Sequence, residues 1–122
     1  MSWRRRKGLR FEELARVYLE RRGLSLLAQN FRGRRGEIDL VMQDGDSICF
    51  VEVKYRDSLA YGGAADAIPA AKQRKIVNTA LHYLSLRPDL ARLAPRFDAL
   101  LIQGQADGSE EYDWIQNAFY AE

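Results

Sequence analysis

With 122 residues, 47% of them hydrophobic, and a single cysteine, Cys49, the chain has room for one core-forming domain but excludes an intramolecular disulfide and any cysteine-rich zinc site. Charged residues of both signs make up 30% of the chain, which is not the profile of a disordered segment. The net charge of +2 conceals an asymmetry: residues 1–36 carry 11 Lys and Arg against 3 acids, a balance of +8, whereas residues 37–122 carry 8 against 14, a balance of −6.

The start, MSWRRRKGLR, has the charge of a signal peptide's first region, but FEELAR follows where an apolar run of at least about 7 residues should stand. No later stretch approaches the roughly 18 apolar residues that cross a bilayer. A single cytoplasmic domain over 1–122 is therefore expected, with a basic N-terminal segment at 1–10 and no membrane partner. Phe11, Leu14, Ala15, Tyr18 and Leu19 recur at helical spacing over 10–22, and Gly23 stands where a helix end takes its left-handed residue. Strands are predicted over 24–31, 37–43 and 47–54, with RGRRG as a basic turn before the second and Asp44, Gly45 and Asp46 supplying the turn before the third. LAYGGAADA at 59–67 reads as a mobile loop. Pro69 suits the first turn of a helix whose apolar stripe, Ile76, Val77, Ala80, Leu81 and Leu84, runs until Arg87 and Pro88. A strand over 96–103 follows, then a turn with a short edge strand in GQADGSEEY and a brief terminal helix in IQNAFYAE. The predicted class is α/β, with helices covering a mixed sheet in the order α-β-β-β-α-β.

Glu52 and Lys54 lie two apart on a predicted strand, so both point to one face with Ile48 and Phe50, while Cys49, Val51 and Val53 take the other. Charges inside the apolar run ICFVEV need partners. A hairpin loop of Gly45 and Asp46 sets Asp39 opposite Glu52; a loop of Asp44 and Gly45 sets it diagonally, on the same face. A three-residue loop without a bulge sends it to the other face. Two opposed carboxylates repel and call for a cation. Oxygen ligands that retain water suit Mg²⁺ or Mn²⁺, which can polarise a phosphodiester and make hydroxide from bound water, and a nearby lysine can act on the water or on the phosphate charge. A structural salt bridge is the plain alternative.

GEIDLVMQDGDSICFVEVKYR resembles the core of the YraN-like bacterial proteins, an uncharacterised family similar to Holliday junction resolvases and to the wider PD-(D/E)xK, or restriction-endonuclease-like, nucleases. EELARVYLERRG, AQNFRGRRGEIDLV, KQRKI and RFDALLI extend the resemblance over nearly the whole chain. The resemblance implies a restriction-endonuclease-like fold, Asp39 and Glu52 as metal-binding acids, the backbone carbonyl of Val53 as a further ligand, and Lys54 as the catalytic lysine. It also implies that Glu12 assists metal or water positioning, and that Lys72 and Gln73 lie where a phosphate contact is plausible. The chain departs from the family pattern at Phe11, where glycine is usual, and at Tyr55, where threonine is commoner.

Arg32, Arg34 and Arg35 form a turn that is either solvated or a phosphate contact, since it leads into the strand carrying Asp39. His82 is expected to be a packed or partly exposed side chain, Cys49 a small core residue, Trp3 a terminal anchor and Trp114 a packing residue. Three functions follow. The first is a Mg²⁺-dependent endonuclease acting on DNA, branched or otherwise structured. The second is a nucleic-acid-binding module of the same fold without efficient turnover. The third is a small adaptor whose basic half docks an acidic protein.

Overall fold

The computed structural model describes residues 3–56 and 68–121, so the segment expected to be a loop at 59–67 lies outside them. Helix α1 (Trp3–Glu20) leads into strands β1 (Ser25–Arg32), β2 (Glu37–Asp44) and β3 (Ser47–Arg56). Helix α2 (Ala70–Leu86), a 3₁₀ turn at Pro88–Leu90, and strands β4 (Ala94–Gly104) and β5 (Glu110–Phe119) follow. The strands form one sheet in the order β1-β2-β3-β4-β5, antiparallel throughout except for the parallel pair β3 and β4, whose connection contains α2. This is the expected mixed α/β sheet, consistent with a restriction-endonuclease-like arrangement. No helix among the described residues is long and apolar enough to cross a membrane.

The sheet buries both faces. Leu40, Met42, Cys49, Val51, Leu100 and Ile102 pack under Phe11, Ala15 and Leu19 of α1. Val41, Ile48, Phe50, Phe97 and Ala99 pack under Ile76, Ala80 and Tyr83 of α2. The alternation along β3 therefore assigns Ile48 and Phe50 to the α2 face and Cys49 and Val51 to the α1 face, as strand parity predicts.

Two expectations are corrected. Helix α1 begins at Trp3, not at residue 10, because the basic segment contains good helix formers and no proline, so nothing stops the helix from extending backwards. The C-terminal residues form a long fifth strand in place of a short edge strand and terminal helix, giving α-β-β-β-α-β-β. Ile115, Ala118 and Phe119 have the i, i+3, i+4 spacing of a helix, but an irregular strand generates it too. The β4–β5 register shifts between Phe97 and Ala99, so Ile115 pairs with Ala99 and Phe119 with Phe97, with Asn117 at φ 54 in the excess backbone between them.

Candidate functional site

The β2–β3 hairpin turns on Gly45 and Asp46, with Gly45 at φ 60, and pairs Asp44 with Ser47 through to Leu40 with Val51. That register sets Asp39 level with Glu52, but backbone pairing ends one step earlier. Instead the Val53 amide donates a hydrogen bond to Asp39 Oδ2 at 2.8 Å. The β1–β2 ladder also runs on either side of Asp39, pairing Gln29 with Leu40 and Phe31 with Ile38, while Asn30 between them takes φ 54. Strand β2 is thus distorted at Asp39. Both Ile38 and Val41 join the α2-face core although they differ in parity, which locates the twist at the acid itself. Because the N–H and C=O of a strand residue leave on the same side, the Val53 carbonyl is directed toward β2 as well.

Asp39 is buried, and burial, followed by the Glu52 charge, pushes its pKa up to about 7, with the Val53 hydrogen bond opposing and Glu12 and Glu37 adding to the rise. Glu12 reaches this group from α1. Its pKa is raised by burial, against a hydrogen bond from Asn30 and with the charges of Glu37 and Glu52 reinforcing it. Its Oε1 is buried without a hydrogen-bond partner among the described residues. Four acids, Glu12, Glu37, Asp39 and Glu52, therefore share one electrostatic neighbourhood. Lys72 of α2 answers it, with Nζ 2.9 Å from Glu52 Oε1 and the Glu52 side chain only 10% exposed. Lys54 shares Glu52's face by parity and is half-buried, with no ion pair among the described residues.

Hard oxygen donors, an unpartnered buried carboxylate oxygen and an excess of negative charge fit a divalent cation that keeps water, such as Mg²⁺ or Mn²⁺. They do not form a cage on their own: among the described residues no group of three or more Asp, Glu, His or Cys is close enough to hold a metal ion. Asp39 and Glu52, the Val53 carbonyl and solvent are the donors the geometry offers.

The other singled-out residues divide. Arg32 pairs with Glu37 through Nε at 3.2 Å, so its charge is partly answered at the surface. Arg34 and Arg35 are exposed at the turn and have no ion-pair partner among the described residues. Gln73 donates its side-chain amide to the Ile68 carbonyl at 2.8 Å and secures the chain ahead of α2. Cys49 is buried, and burial holds its thiol up at about 12. Trp114 is half-buried and donates its indole N–H to Asp98 at 3.0 Å. His82 is exposed, 5.8 Å from the Phe31 ring.

Sequence reasoning overlooked Asn30, which has a left-handed backbone and a side-chain hydrogen bond to Glu12, and Lys72's role as the counterion of Glu52. Neither pairing has a local spacing signal, because each joins elements distant in the chain. The two departures from the family pattern meet in space: Phe11 stacks on Tyr55 with ring centroids 3.6 Å apart and planes at 16°. An aromatic on α1 and an aromatic on β3 thus form one packing unit beside Glu12.

A family model described as the uncharacterised protein family UPF0102 matches residues 11–102. The chain is similar to a UPF0102 protein of Nitrosomonas eutropha, 46% identical over 98% of this chain and 97% of the relative. One from Aeromonas hydrophila is 45% identical over 93% and 84%. Another from Pseudomonas savastanoi pv. phaseolicola is 42% identical over 97% and 96%.

Proposed function

The chain belongs to the UPF0102 family, and we propose that it is a metal-dependent endonuclease hydrolysing phosphodiester bonds in DNA, branched or otherwise structured. The observation that carries this reading is the end of the backbone ladder at Asp39, where the Val53 amide bonds the buried carboxylate level with the half-buried Glu52, while Lys54, without an ion pair among the described residues, comes next on the Glu52 face. Asp39 and Glu52 would hold the cation with the Val53 carbonyl, and a bound Mg²⁺ or Mn²⁺ supplies Lewis acidity to the scissile phosphate and lowers the pKa of its water. Glu12 would orient the attacking water through Oε1, which has no hydrogen-bond partner among the described residues. Lys54 donates from Nζ to a non-bridging phosphate oxygen and offsets the charge that grows there as the water oxygen bonds to phosphorus and the P–O ester bond breaks. Lys72, which answers the Glu52 charge in the metal-free protein, would compete with a bound cation for Glu52.

A cleavage panel over junction, flap, single-stranded and duplex DNA with Mg²⁺ or Mn²⁺ tests this. Wild type is expected to cut at least one substrate, Glu52→Gln none, and Lys54→Ala about 10²- to 10⁴-fold more slowly with DNA affinity retained. Undiminished cleavage by Lys54→Ala overturns its role. The Lys72–Glu52 pair favours a second reading, a nucleic-acid-binding module in which that ion pair is permanent. No cleavage of any substrate by wild type, with Mn²⁺ affinity unchanged in Lys72→Met, selects the module.

A further inference from the structure

The turn between β1 and β2 is docked onto α2 through its glycines. A Cβ on Gly33 would lie 3.3 Å from Thr79 Cγ2 and 3.7 Å from His82 Cδ2, and one on Gly36 would lie 3.3 Å from Thr79 Oγ1 and 3.6 Å from Lys75 Cβ. Thr79 is itself fixed by donating its hydroxyl to the Lys75 carbonyl at 2.7 Å. The turn closes on a 2.9 Å hydrogen bond from the Gly33 amide to the Gly36 carbonyl. The backbone that carries Arg34 and Arg35 is therefore held over a helix. Between the turn and the helix lies a cavity of about 480 Å³ lined by Gly33, Arg34, Arg35, Asn78, Thr79 and His82.

The chemistry of this cavity is one-sided. Two guanidinium groups without ion-pair partners among the described residues, an amide and an imidazole line it, and no acid does. Helix α2 contains Lys72, Arg74, Lys75 and His82 and no Asp or Glu at all. Lys72, Lys75, Thr79 and His82 follow at intervals of three and four, so they share the flank of α2 that faces the turn. That flank begins at Glu52, which Lys72 touches, and runs for about 15 Å at the rise of an α-helix. Duplex DNA presents a phosphate on each strand about every 3.4 Å of axis, so this length spans about four.

We infer that the cavity between the Arg34–Arg35 turn and helix α2 is a phosphate-binding site for a nucleic-acid backbone, and that the flank of α2 from His82 to Lys72 carries the strand toward the carboxylates. Guanidinium groups give two-pronged hydrogen bonds to phosphate oxygens, and Asn78 and His82 add further donors at the cavity wall. The two glycines fix the backbone of the turn against α2 before the ligand arrives, which limits the backbone ordering entropy lost on binding. The identity of the ligand as nucleic acid rests on the function proposed above; the anion site itself rests on the turn and the helix.

Fluorescence anisotropy in EDTA, with labelled duplex and junction DNA titrated between 25 and 200 mM salt (about the range over which phosphate contacts reveal themselves), tests it without catalysis. The Arg34→Ala/Arg35→Ala double variant is expected to flatten the slope of log affinity against log salt by about 2, and His82→Ala/Asn78→Ala to weaken binding about 3- to 10-fold. Unchanged thermal melting of both variants confirms that they are folded. A double arginine variant with the wild-type slope overturns the site, even where wild type cleaves DNA. Wild type that cleaves nothing but shows the arginine-dependent slope retains the site and defeats the enzyme. Competition by a mononucleotide at concentrations equal to its own weak affinity, with no salt-dependent DNA binding, overturns the backbone assignment in favour of a free nucleotide.

Discussion

Asp39 sits where burial and charge conflict. Its carboxyl has its pKa raised from 3.8 to about 7 by burial and by the neighbouring Glu52, so between those values the folded protein binds more protons at this position than the unfolded chain does. Stability must therefore fall as pH rises through that window in the metal-free protein. Asp39→Asn keeps an acceptor for the Val53 amide and removes the charge. Its stability relative to wild type should increase from pH 4 to pH 8, reaching on the order of 1–3 kcal/mol in urea titrations with EDTA. A difference that does not change with pH would show that Asp39 ionises freely. Mn²⁺ should reverse the ranking at pH 8, raising the melting temperature of wild type and not of Asp39→Asn.

Thr79 and the turn between β1 and β2 make the corresponding case for an element. The RGRRG segment is a basic turn in the sequence, but its glycines serve the approach of α2, since the Gly33 and Gly36 positions both meet Thr79. Gly33→Ala should cost about 1 kcal/mol through overpacking against Thr79 Cγ2, which its hydrogen bond to the Lys75 carbonyl prevents from turning aside. Thr79→Ser removes that methyl and keeps the hydroxyl. The double variant should recover most of the loss, with a coupling energy of at least about 0.5 kcal/mol by double-mutant cycle; additive losses would separate the turn from the helix.

The molecule as a whole is closed by Asp98. Its side chain is 0% exposed, it accepts from Arg96 at 3.0 Å, from the Trp114 indole at 3.0 Å and from the Asn117 amide at 3.1 Å, and Arg96 reaches on to Asp44 at 3.0 Å. The network thus satisfies the backbone that the β5 irregularity leaves without a ladder partner and ties β5 to β4 and to the end of β2. Burial works against the Arg96 charge, but the carboxylates outweigh it and keep its pKa above the ordinary value. Asp98→Ala should destabilise the protein by about 2–4 kcal/mol, because it leaves the Asn117 amide and the Trp114 indole N–H without their acceptor and the half-buried Arg96 guanidinium with Asp44 alone. Asp98→Asn should lose less. Equal losses in chemical denaturation would assign the effect to packing alone.

Strand parity was legible from local spacing, so the sequence by itself determined that Glu52 and Lys54 share a face, whereas Asp39 level with Glu52 was one of several registers the turn allowed, and the observed Gly45–Asp46 turn selects it. It also determined the two amphipathic helices and the α/β class, because apolar periodicity records which side of an element is buried. The end of the ladder at Asp39 was not legible, since a side chain that replaces a backbone partner leaves no periodic trace. The same holds for Lys72 on Glu52 and for His82 beside the arginine turn, contacts that depend on how α2 lies across the sheet. The second half of the fifth strand reads as a helix in the sequence because a distorted strand and a helix can share apolar spacing, and only pairing with β4, completed by the buried carboxylate of Asp98, decides between them.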